Sequence, residues 1–218
     1  MKYGESVFDI LYLLFAVISG IVILARRRDK TGILMGVSAI VLGSGDAFHL
    51  VPRVLNYFID SDFTAALGVG KLITSITMTI FYVLMFELHK EVFGKNRQGG
   101  SLAAASVYML ALVRVAVCLL PGNAWLTNSG SVAWGIVRNI PFAALGAIIV
   151  TLYFIVRSED KSFRRVWLYV TLSFLFYIPV AVGASIVPML GMLMLPKTIC
   201  YIFILVCFIN KSSENPKR

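Results

Sequence analysis

The chain has 218 residues, 59% of them hydrophobic and only 14% charged, with a net charge of +9. Soluble domains carry nearer a quarter charged residues, so there is too little polar surface here to cover a water-soluble globule. The basic excess does not imply nucleic acid, because it falls in short clusters between apolar blocks, where membrane topology accounts for it.

Those blocks are about twenty residues long, the length needed to cross roughly 30 Å of hydrocarbon at about 1.5 Å per residue. In chain order they predict helices over residues 7–25, 33–57, 64–88, 102–120, 131–156, 164–187 and 190–210. The first is preceded by Lys2 alone among basic residues and followed by Arg26, Arg27 and Arg28, the reverse of a signal peptide's charge order. It therefore reads as a retained helix. The last two are separated by a stretch holding Pro188, Gly191 and Pro196, which predicts a short turn. The expected fold is an all-α membrane bundle of about seven helices, a single domain over 1–210 with a polar tail over 211–218. Cys118, Cys200 and Cys207 all lie in apolar runs and read as packed thiols.

Basic residues set the orientation. Arg26, Arg27, Arg28 and Lys30, then Lys90, Lys95 and Arg97, then Arg157, Lys161, Arg164 and Arg165, and finally Lys211, Lys217 and Arg218 share one side. The other side offers Lys2, the acidic Asp60 and Asp62, and an uncharged 121–130 loop. The positive-inside rule then places the amino terminus outside and the carboxyl terminus in the cytoplasm of a cell-membrane protein.

Within the apolar segments remain Asp9, Asp46, His49, Arg53, Lys71, Arg114, Arg138 and Lys197. A charge at the bilayer centre costs roughly 2.5–3.5 kcal/mol on insertion scales, so such groups usually face a cavity or each other. By depth they concentrate in the outer half, with Asp46 near the middle of its helix. Asp46, His49 and Arg53 form one helical stripe; Lys71 shares a face with Thr74 and Ser75. Trp134 with Arg138, Ser173 with Tyr177, and Lys197 with Tyr201 are further pairs four apart. Convergence of these stripes predicts an outward-opening cavity in which five cations meet two carboxylates, Asp9 and Asp46. Such an excess favours an anion, and the planar fork of arginine suits phosphate or carboxylate. Blander readings stand beside this one. Arg53 and Lys197 lie near helix ends, where they can snorkel; Asp9 can be a solvated end residue; Asp46 can pair structurally with Arg114 or Lys71; Tyr177 and Tyr201 can be packing residues.

Two histidines, His49 and His89, are too few for a three-histidine zinc site, so no metal is expected, and no nucleotide motif or other cofactor signature occurs. The segment Leu42-Gly43-Ser44-Gly45-Asp46-Ala47-Phe48-His49-Leu50-Val51-Pro52-Arg53 resembles the Gly-Asp…Leu-Pro-Arg signature of the YhhN-type lysoplasmalogenase family. The likeness continues weakly through Gly68, Gly70, Phe81 and Tyr82 and covers about forty residues. It implies a bundle of about eight membrane helices and hydrolysis of the vinyl-ether bond of lysoplasmalogens, with Asp46 as the acid or water-activating group and Arg53 nearby. Where that family has a histidine after the signature this chain has Thr74 or Thr77, and its late Ser-Asp pair is replaced by Phe176-Tyr177-Ile178-Pro179.

Two functions follow as expectations. One is a lipid-active protein, a lysoplasmalogenase-like hydrolase, in which Asp46 and His49 handle protons while Arg53, Lys71, Arg114, Arg138, Tyr177, Lys197 and Tyr201 hold an anionic amphiphile. The other is a transporter or receptor for a small organic anion, without chemistry. The partner in either case is a membrane lipid or anionic amphiphile and not nucleic acid.

Overall fold

A computed structural model describes residues 2–94, 100–183 and 187–214. Among the described residues, seven helices are long and apolar enough to cross a membrane. They are α1 (Lys2–Arg26), α2 (Lys30–Phe58), α3 (Thr64–Phe93), α4 (Gly100–Leu119), α5 (Val132–Ile155), α6 (Val166–Gly183) and α7 (Met194–Ser212). There is no strand among the described residues. The chain is thus a multi-pass membrane protein with an all-α seven-helix fold.

Several boundaries shift for local reasons. Helix α1 begins five residues earlier than its hydropathy suggests: Ser6 Oγ donates to the Lys2 carbonyl at 2.8 Å, and Glu5 sits in the first turn, where a carboxylate complements the helix dipole. α6 starts after a turn in which Asp160 Oδ1 accepts from the amides of Ser162 and Phe163, an aspartate mimicking a backbone turn. Its expected end at 187 runs through 184–186, outside the described residues. Pro188–Leu193 forms a 3-10 helix, so α7 begins at Met194 rather than 190. Lys211 and Ser212 of the expected tail still belong to α7, while 215–218 lie outside the described residues.

Each helix packs on its successor, and α7 returns against α1 to close a ring. α3 also reaches α5, and α2 reaches α7. Lipid provides no hydrophobic force between helices, so close backbone approach does the work. A Cβ on Gly20 would lie 2.8 Å from the Gly36 carbonyl, and one on Gly43 2.8 Å from Ala16 Cβ, so α1 and α2 meet along small residues. At the α2–α3 seam, Pro52 removes the amide that would bond the Phe48 carbonyl. Gly70 packs on that same carbonyl, where a Cβ would come within 2.1 Å.

Large apolar side chains such as Leu11, Leu14, Ile18, Leu112 and Leu175 point outward, as lipid contact requires. Inside, the half of the bundle towards the arginine-rich end is packed with large buried side chains. Phe81, Tyr82, Met85 and Tyr153 are fully buried there. The Tyr82 ring sits edge-on to Phe142 at 5.1 Å and near Phe174 at 5.5 Å, and Tyr153 donates to the Met85 carbonyl at 3.0 Å. The surface of that end is tied by Arg27, whose fork grips Asp29 at 2.7 and 2.8 Å, by Lys30 with Glu91 at 2.9 Å, and by Lys211 with Asp160.

Candidate functional site

The other half of the bundle, at the end that carries the amino terminus, is more open between the helices. Two adjoining voids lie there, of about 310 Å³ and about 350 Å³. They share His49, Arg53, Thr74, Gly191, Met194 and Lys197 as a common wall, and between them they draw residues from all seven helices. The sequence order explains the convergence. Glu5 and Asp9 open α1, residues 46–53 close α2, Lys71–Met78 open α3, Arg114 is late in α4, Arg138 early in α5, Tyr177 late in α6 and Lys197 early in α7. Antiparallel neighbours bring all these to one level.

The two voids differ in chemistry. The first holds Glu5, Asp9 and Asp46 against Arg53 and Lys197. The second is lined by Arg53, Lys71, Arg114, Arg138 and Lys197, and by no carboxylate among the described residues.

Arg114 is the deepest of the cations, 2% exposed. Its Nε donates to Thr79 Oγ1 at 3.0 Å, and its Nη1 donates to the Arg138 carbonyl at 2.7 Å and to Asn139 Oδ1 at 3.1 Å. The guanidinium lies 3.8 Å over the Phe142 ring. All of its partners are neutral. Asn139 acts as the hub, since its Oδ1 also accepts from Tyr177 at 2.8 Å while its Nδ2 donates to the Gly135 carbonyl at 2.9 Å.

Arg138 and Lys71 are met by the 121–130 loop. Arg138 Nη1 donates to Asn123 Oδ1 at 3.1 Å beneath the Trp125 ring, and Lys71 Nζ donates to Asn128 Oδ1 at 2.8 Å. Gly68 seats this loop on α3: a Cβ there would fall 1.6 Å from the Trp125 carbonyl. Lys197 is 9% exposed and faces the rings of Tyr177 at 4.5 Å and Tyr201 at 5.6 Å. Among the described residues, no carboxylate forms an ion pair with Lys71, Arg114, Arg138 or Lys197.

Several sequence expectations need correction. The carboxylates are three, not two: the early start of α1 brings in Glu5, which forms an ion pair with Arg53 and accepts from Tyr57 at 3.1 Å. Arg53 is therefore anchored rather than snorkelling. Asp9 is not a solvated end residue but 5% exposed, with its Oδ2 making no hydrogen bond among the described residues. Asp46 pairs with neither Arg114 nor Lys71; it accepts from Tyr12 at 2.6 Å. Lys197 is buried, against a snorkelling position.

Two stripes split. Trp134 turns against Gly122, whose Cβ would lie 2.1 Å from the indole, while Ser173 bonds the Val170 carbonyl at 2.8 Å and lines neither void. His49 lines both voids, with its Nδ1 unpartnered. Tyr201 lines the first void and Tyr177 the second. Residues missed from sequence are Glu5, Tyr12, Thr79, Asn123 and Asn139. An amide inside an apolar run, such as Asn139, is a polar signal in its own right.

Compared with protein-family models, curated proteins and solved structures, the chain matches none.

Proposed function

We propose that this membrane protein binds an anionic amphiphile, its phosphate or carboxylate head in the carboxylate-free void and its reactive part beside Asp46. The observation that carries this reading is a set of four cations that form no ion pair with a carboxylate among the described residues, the buried Arg114 and Lys197, the half-buried Arg138 and the exposed Lys71, around one void of about 350 Å³. In low dielectric an uncompensated cation is costly, and an oxyanion accepting from several of them offsets that cost. Among the described residues Arg114 Nη2 has no hydrogen bond, and the arginine fork suits a tetrahedral phosphate.

The chemistry follows the resemblance to vinyl-ether hydrolases. In this reading the protonated Asp46 carboxyl gives its proton to the β-carbon of the vinyl ether. Water then adds to the carbon bearing the ether oxygen and returns a proton to the carboxylate. The hemiacetal so formed breaks into a fatty aldehyde and a glycerol-based alcohol. Tyr12, donating to Asp46 at 2.6 Å, fixes the carboxyl's orientation, and Asp9 lines the same void as a second acid.

A second reading, a binder of the same anion without chemistry, is favoured by Thr74. Either it or Thr77 stands where the resembling family has a histidine, and their hydroxyls are committed to the Gly45 and Ile73 carbonyls, each at 3.0 Å. A transport path is disfavoured by the buried Phe81, Tyr82 and Tyr201 below the voids.

Purified protein is incubated with a lysoplasmalogen and with a lysophospholipid of equal chain length, wild type against Asp46→Asn. Release of free aldehyde by wild type only supports hydrolysis. Equal binding by both forms with no product from either supports the second reading. No binding of either lipid, or binding unchanged in Arg138→Gln and Arg114→Met, removes the site.

A further inference from the structure

The carboxylate-free void does not end at the helix ring. An apolar groove of about 150 Å³ runs between α5 and α6, formed by Ile136, Ile140 and Ala143 on one side and Phe174, Ile178 and Val182 on the other. Its inner end shares Asn139, Tyr177 and Ala181 with the cationic void. Its outer end is open to lipid, since Ile140 is 62% and Ile178 48% exposed. From these positions the geometry points to a lateral acyl site: one hydrocarbon chain of a single-chain amphiphile lies between α5 and α6 while its anionic head reaches Arg114 and Arg138.

Three features support this occupant over a water-soluble anion. The groove is apolar where it meets lipid and leads to unpaired cations, so its two ends match the two ends of an anionic amphiphile. Its volume admits about five groups of roughly 30 Å³ each, the size of a water or a methylene, which is enough for the first part of one chain and not for two side by side. Helices α5 and α6 also carry Pro141 and Pro179 at this level. Each proline removes one intrahelical bond, so the two helices can bend apart here at lower cost than elsewhere along the pair. The hydrogen bond from Tyr177 to Asn139, with Arg114 donating to the same oxygen, spans the inner mouth and ties α4, α5 and α6 where the chain would pass.

The site depends on the anion-binding reading above, so the test separates the two. The probes are oleoyl lysophosphatidic acid and chainless glycerol 3-phosphate, each titrated into full-length protein in nanodiscs. A lysophosphatidic acid with a diazirine in the upper part of its chain is used for crosslinking. Wild type should bind the chain-bearing probe about tenfold more tightly than the chainless one. Photolysis should mark peptides covering 136–143 and 174–182. Ala143→Phe and Val182→Trp, which fill the groove from opposite walls, should bring the affinity ratio towards one and abolish the crosslinks. Two variants are used so that one that misfolds does not decide the result.

If glycerol 3-phosphate binds but the chain adds nothing, or the ratio and the crosslinks survive in a folded variant, the lateral site is wrong and the anion site stands. If neither probe binds wild type, both are wrong.

Discussion

Replacing Arg114 with methionine separates a binding role from a structural one. Three hydrogen bonds are lost, to Thr79, to the Arg138 carbonyl and to Asn139. Between membrane helices such bonds average about 0.6 kcal/mol, so the loss is roughly 2 kcal/mol. None of the acceptors is left stranded. The Thr79 hydroxyl donates to the Ser75 carbonyl at 2.8 Å, the Arg138 carbonyl lies within α5, and Asn139 Oδ1 keeps Tyr177. On the other side, removing an intramembrane cation relieves about 2.5–3.5 kcal/mol on insertion scales. The two effects nearly cancel, and the melting temperature should move by less than about 6 °C in either direction. The cost to a bound oxyanion is not cancelled. A hydrogen bond to a charged group contributes about 1.5–3 kcal/mol, so affinity for lysophosphatidic acid should fall roughly 10- to 150-fold. Arg114→Lys keeps the charge without the fork and should fall in between. Thermal unfolding of the free protein and titration of the lipid are measured on the same preparations. A variant that melts more than 10 °C lower while binding the lipid as before would refute the reasoning and make Arg114 a structural residue.

Other expectations are independent of the ligand. Gly70→Ala puts a methyl within 2.1 Å of the Phe48 carbonyl and should destabilise the α2–α3 seam by about 1–3 kcal/mol, seen as a lower melting temperature. Asp29, outside the spans, caps α2 by accepting from the Gly32 amide at 2.9 Å, and the Arg27 fork holds its carboxyl below the usual carboxylate range. A depressed pKa gives stability that is complete above the unfolded value of about 3.9 and is lost as pH falls through the folded value. Asp29→Asn should therefore melt below wild type at neutral pH and approach it in acid. For orientation, Asp62→Cys should react with an impermeant maleimide on intact cells, and Lys161→Cys only after permeabilisation; the reverse pattern would invert the topology.

The helix count was legible because each span is a long apolar block, and the block length reflects bilayer thickness. The depth of the charges was legible for a related reason: a chain that crosses alternately fixes which ends share a level. Which faces meet was not legible. Trp134 and Arg138 lie four apart on α5, yet the indole packs on Gly122 while the guanidinium turns to Asn123 and Trp125. A helical wheel carries no information on that choice. Glu5 was lost at a hydropathy boundary, although its helix continues to Lys2. Asn139 is next to Arg138 in sequence, off the stripe that Arg138 forms with Trp134, although it joins Arg114 to Tyr177.

Phe81, Tyr82 and Tyr201, all buried and in edge-on ring contact, stand on the inner side of the chamber. If that layer seals the inner side, a proton released from Asp46 in the proposed hydrolysis would return to the compartment it came from, and turnover would neither draw on nor leak the transmembrane proton gradient. A ligand would then leave by the mouth it entered or sideways into the same leaflet.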